Sequence, residues 1–124
     1  VTAQLDGAAR IAAERARQVT AEGYAAEHDD LHTTGSLALA AALYAAPCAL
    51  YEQIVYQDGV RFRDPWPWDP CSDKRPRKRN ALQDNHTLPQ EERIRQLVKA
   101  GALIAAEIDR LERRARPKEG ETHG

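Results

Sequence analysis

Residues 88–115 read LPQEERIRQLVKAGALIAAEIDRLERRA. Ile94, Leu97, Gly101, Ile104, Ile108 and Leu111 recur at spacings of three and four, and Val98 and Ala105 widen the stripe. That period predicts an amphipathic helix. Thr87 to Gln90 fits a capping box, with Pro89 in the first turn, where its missing N–H is no loss. Pro117 stops the helix, and residues 117–124 read as a disordered tail. Such a helix is roughly 40 Å long, more than a small domain easily covers. We therefore expect a homodimer through the long helix.

Upstream, residues 60–87 hold Pro65, Pro67, Pro70 and Pro76, the pair Trp66 and Trp68, and the basic run Lys74, Arg75, Arg77, Lys78 and Arg79. An irregular connection is expected there, since loops of this length in small domains are functional or disordered. Residues 36–46, SLALAAALYAA, are strong helix formers with almost no polar face, so a helix buried on most sides is expected. Pro47 either kinks it or opens a second helix running to about Gln57, before the Asp58-Gly59 turn signal. Residues 24–35 are polar and acidic. Residues 2–22 read as a first helix, with Leu5, Ala8, Ala12, Ala16 and Val19 on one face, Thr2 or Asp6 as cap, and Gly23 as terminator. The expected fold class is all-α. It is a compact bundle of three or four helices, in one domain over residues 1–116, with a long Pro/Trp/Arg-rich connection before the last helix.

The chain has 124 residues, 42% hydrophobic and 30% charged, a soluble globular balance. Of 52 hydrophobic residues, 22 are alanine and 22 are Val, Ile, Leu or Phe, and methionine is absent. The core must be thin and closely packed, or completed by another chain. No apolar run reaches the length of a membrane span, and no secretion-signal pattern opens the sequence. Two cysteines, Cys48 and Cys71, are too few for a disulfide scaffold. The net charge of −1 conceals a gradient, from −5 over residues 1–60 to +3 over residues 61–89. A near-neutral whole argues against nonspecific nucleic-acid binding and leaves a local basic patch as the only candidate.

Five segments carry a resemblance: ERARQVTAEGY (14–24), EHDDLH (27–32), GSLALAAALYA (35–45), WPWD (66–69) and QLVKAGALIAAEIDRLER (96–113). Together they resemble a family of small phage and prophage accessory proteins that share these motifs in this order. The resemblance implies phage origin and a place in the host bacterial cytoplasm, not a particular chemistry. The chain departs from the family pattern after WPWD. Residues 70–90 insert a Pro- and Arg-rich segment where members pass through a short W-K-P segment into the last helix.

Three sets of residues invite functional readings. Glu27, His28, Asp29, Asp30 and His32 place five metal-ligating side chains in six positions, and on a helix His28 and His32 would share a face. Two histidines with carboxylates suit Zn²⁺, Mn²⁺ or Fe²⁺, and carboxylates alone suit Mg²⁺. The structural alternative is a solvated loop whose aspartates cap the next helix. Trp66 and Trp68, with Arg61 and Arg63 nearby, could stack a base and meet phosphate, or the rings could lid the alanine core. The run from Lys74 to Arg79 is either a nucleic-acid patch or a solvated loop.

The leading expectation is an accessory protein that binds a small anionic, nucleotide-like ligand or a host protein, with counter-defence as a candidate role. The first alternative is a metal-dependent nucleotide phosphohydrolase of all-α type. It would centre on Glu27, His28, Asp29, Asp30 and His32, with Glu14 and Glu22 able to add carboxylates, and a divalent metal would be its cofactor. The second is a nucleic-acid-binding module. Whether the chain is an enzyme is left open.

Overall fold

The computed structural model describes residues 6–21, 29–78 and 81–115. Among them are three α-helices, α1 (Gly7–Ala21), α2 (Ser36–Ala45) and α3 (Gln90–Ala115), and α1 and α2 both pack on α3. The expected helical bundle with an irregular connection before a long last helix is the observed architecture. No described helix is long and apolar enough to cross a membrane.

The α2–α3 contact is the core. Leu37, Ala40, Ala41 and Tyr44 meet Ala100, Leu103 and Ala106, with Trp66 and Trp68 packed against the cluster. Alanine on both helices lets the backbones approach, but leaves little apolar volume. The two tryptophans of the connection supply it, so the WPWD segment is a lid on the core.

Helix ends are satisfied by neighbours. The Asp6 carboxylate accepts the Ala9 N–H at 2.8 Å and caps α1. At the C-terminus of α2, the Asn85 amide donates to the carbonyls of Leu43, Tyr44 and Ala46 at 3.2, 3.2 and 2.7 Å. Arg93 donates to Tyr44 and Ala45 at 3.2 and 2.6 Å. A cation at this end also suits the helix dipole. The capping box at Thr87 does not form. The Thr87 hydroxyl donates to the Asp84 carbonyl instead, at 2.7 Å, inside a short 3₁₀ turn (Asn85–Thr87).

The helix read as running from Pro47 to about Gln57 is also absent. The α2 helix stops before Pro47, and strands β1 (Glu52–Tyr56) and β2 (Gly59–Arg63) form an antiparallel hairpin pairing Val55 with Val60 and Gln53 with Phe62. The physical reason lies in EQIVY and GVRFR, which alternate β-branched and aromatic side chains around Asp58-Gly59. Gly59 sits at φ +143°, where a side chain is disfavoured. A 3₁₀ turn (Pro70–Ser72) and a two-residue ladder of β3 (Arg77–Lys78) with β4 (Ala81–Leu82) complete the connection.

Where α1 crosses α3, Gly101 faces Ile11. A Cβ on residue 101 would lie 2.5 Å from Ile11 Cδ1 and 2.8 Å from Cγ1. Gly101→Ala is therefore expected to destabilise by about 1–2 kcal/mol, overpacking outweighing the gain in helix propensity. Urea unfolding checks this, and Ile11→Ala in the same chain should abolish the penalty specific to residue 101.

Candidate functional site

A cleft of about 380 Å³ lies between α1 and α3. Helical spacing places Arg10, Ala13, Glu14 and Arg17 of α1 along one wall, and Glu91, Ile94, Arg95, Val98 and Lys99 of α3 along the other. Four cations thus face two carboxylates across a partly apolar floor. One carboxylate is committed to its neighbour. Glu14 accepts two bonds from the Arg17 guanidinium at 2.6 and 2.7 Å and one from the Gln18 amide at 3.2 Å. The Arg17 hydrogen bond holds the Glu14 carboxyl below the usual range against the effect of burial, with the charges of Arg17 and Lys99 adding to it.

Glu14, Arg17 and Lys99 also border a smaller inner cavity of about 30 Å³, together with Gln18, Tyr44, Trp66, Trp68 and Lys74. Its aromatic wall is rigid. Tyr44 and Trp66 meet edge to face at 5.6 Å, as do Trp66 and Trp68, and His32 lies 5.0 Å from Trp68. The Tyr44 hydroxyl accepts the Lys74 N–H at 3.0 Å, and Lys99 Nζ lies 5.8 Å from the Tyr44 ring centre. Gln18 Oε1 and Trp68 Nε1 are buried here without a hydrogen-bond partner among the described residues. The space suits about one or two waters and is too small for a base.

The structure separates the residues that the sequence grouped as a ligand site. Trp66 and Trp68 border the inner cavity, but Arg61 and Arg63 stand exposed on β2, bonded to Asp58 and Glu52 at 2.9 and 2.6 Å. The basic run is split: Lys74, Arg77 and Lys78 are exposed, and Arg75 is buried. Arg75 is only 7% exposed, held between Asp64 and Asp73 at 2.8 and 2.7 Å with its guanidinium 5.0 Å from the Trp66 ring centre. Arg77 pairs with Asp73 at 3.1 Å, Lys74 borders the inner cavity, and Lys78 is exposed. Arg79 lies outside the described residues. Within the run, Arg75 anchors the lid, and Arg77 supports it through Asp73.

The acidic segment is also engaged. Asp29 is 0% exposed and bonds Arg15 at 2.9 Å, Asp30 bonds Arg113 at 2.7 Å, and the His32 ring meets Trp68 at a tilt. Glu22, Glu27 and His28 lie outside the described residues. Among the described residues, no three His, Cys, Asp or Glu side chains converge as a metal site. Cys48 and Cys71 are both exposed and unpaired.

Sequence reading missed the cationic wall of the cleft. The only available signal was the recurrence of cations on the borders of two helices, Arg10 with Arg17 and Arg95 with Lys99. That signal acquires meaning only once α1 and α3 lie side by side. No protein-family model, curated protein or solved structure matches the chain.

Proposed function

We propose that the chain is a binding protein for a small anionic, partly apolar ligand, held in the α1–α3 cleft. The observation that carries this reading is the lining: Arg10, Arg17, Arg95 and Lys99 on two facing helices, around Ala13, Ile94 and Val98. A volume of about 380 Å³ falls within the range of small-molecule sites. Guanidinium groups suit phosphate or carboxylate oxygens, and the apolar floor suits a ring or short chain. A nucleotide or a comparable phosphorylated metabolite meets both demands. The resemblance to phage accessory proteins supplies the biological setting for the reading, with interception of a host signal as its simplest use.

Binding rather than turnover is favoured because the described carboxylates of the acidic segment are occupied by arginines. Titration calorimetry with ATP, AMP and pyrophosphate tests the reading. Arg95 is the best probe, because its side chain is 63% exposed and touches Glu92 only at 4.0 Å. Arg95→Glu is expected to weaken binding at least tenfold without loss of stability, while Lys78→Glu, outside the cleft, leaves it unchanged. Equal losses in both variants would reduce the effect to overall charge and remove the cleft from the account.

A further inference from the structure

The β1–β2 hairpin carries an apolar face that the rest of the described chain leaves open. Strand alternation and register put Val55, Val60 and Phe62 on the same side, with Val55 73% and Phe62 68% exposed. The opposite face is mixed, with Ile54 and Tyr56 among its residues, and largely self-paired: Glu52 bonds Arg63, and the Arg61 guanidinium lies 4.6 Å from the Tyr56 ring centre. A lone two-stranded hairpin is marginal in water unless its apolar side packs on something.

A second open face runs along α3. Leu97, Ile104, Ile108 and Leu111 are exposed at spacings of seven, four and three, in a stripe that borders the buried face of Ala100, Leu103 and Ala106. This stripe runs for about 21 Å at the helical rise. Each five-residue strand of the hairpin spans about 17 Å, so a hairpin laid along the stripe covers most of its length.

We propose that each face is the other's partner across a homodimer, with the hairpin of one copy lying on α3 of a second copy and the reverse contact closing a two-fold assembly. Both halves of the contact stand on one chain, which is what an isologous interface requires. The seven residues are 43–73% exposed, and together they approach the roughly 800 Å² that one partner gives to a standard interface. None of the seven lines the cleft, so ligand binding and dimerisation can fail separately.

Light scattering of the intact chain at micromolar concentration should give twice the monomer mass. Phe62→Asp with Val55→Asp, and separately Ile104→Asp with Ile108→Asp, should each give folded monomers, raising the dimer dissociation constant at least 100-fold. In a chain with Cys48→Ser and Cys71→Ser, mixing a Phe62→Cys copy with an Ile108→Cys copy should give the mixed disulfide on mild oxidation, a readout that needs no disruptive variant. A monomeric wild type overturns the proposal. So does a dimer that survives the hairpin change, or one that cross-links 108 to 108 in preference to 62 to 108, since the helices would then pair with each other.

Discussion

Alanine in place of Arg75 is expected to cost the fold about 3–5 kcal/mol, the range for breaking a buried ion pair from one side. The Arg75 side chain is 4% exposed and that of Asp73 is 2% exposed. Its Nη2 bonds both oxygens of Asp64 at 2.9 and 2.8 Å and Asp73 Oδ2 at 2.7 Å, and Nε bonds Asp73 Oδ1 at 2.9 Å. Removing it leaves Asp73 with the weaker support of Arg77 and exposes the Trp66 face that the guanidinium covered. Because Trp66 and Trp68 cap the alanine core, the damage should spread to the α2–α3 contact. Lysine should not rescue the loss, since one ammonium cannot span two carboxylates as the planar fork does. Arg77→Ala, at a half-exposed partner, should cost under about 1 kcal/mol. Urea unfolding followed by tryptophan fluorescence would separate the two, and equal small losses would show the cluster to be ornamental.

The same cluster sets an acid limit. Burial alone pushes the Asp73 carboxyl up, but hydrogen bonds and charge from Arg75, with Arg77 adding, outweigh it and leave the group below its ordinary value. A carboxyl depressed in the fold contributes stability above its unfolded pKa, roughly 4, and loses it as pH falls through the lower folded value. In Arg75→Ala that depression weakens, so the acid-induced loss attributable to Asp73 should shrink. Unfolding free energies measured from pH 6 down to pH 2.5 check this.

The parts of this fold that were legible in sequence are those decided locally. The 3.6-residue period of α3 and the apolar alanine run of α2 specify helices whatever surrounds them. The hairpin was misread because Pro47 is equally at home opening a helix and closing one. Ile54, Val55 and Tyr56 before Asp58-Gly59 held the contrary signal. The site was harder to read for a different reason. A run of cations looks the same in sequence whether it is solvated or buried, and Arg75 is buried only because Asp64 and Asp73 close on it from either side. Conversely, Arg10, Arg17, Arg95 and Lys99 look like ordinary surface charges until two helices some 80 residues apart in the chain form one wall each. The α3 stripe shows the limit most clearly. Its period announced a helix correctly, but Leu97, Ile104, Ile108 and Leu111 face outward while the smaller Ala100 and Ala106 fill the core.

Replacing Asp29 by alanine should be as damaging as losing Arg75, about 3 kcal/mol or more, and it separates two readings of the acidic segment. Asp29 is wholly buried, its Oδ2 bonds Arg15 of α1 at 2.9 Å, and its carbonyl accepts the His32 N–H at 3.0 Å. Its neighbour Asp30 reaches Arg113 near the end of α3. The segment thus ties α1 and α3 together beside the entrance to α2, with Asp109 a distant second partner for Arg15 at 3.9 Å. On this account the carboxylate is a structural counter-ion. Thermal unfolding of the wild type should be the same with and without chelator, and Asp29→Ala should lower the midpoint equally in both. Replacing both partners by apolar residues, Asp29→Leu with Arg15→Met, should recover much of the loss, because a buried ion pair removed whole is far less costly than one left half-made. A metal-ligand role makes the opposite set of predictions. Chelator would destabilise the wild type, Asp29→Ala would no longer respond to it, and the apolar double variant would recover nothing, since no hydrocarbon replaces a metal bond.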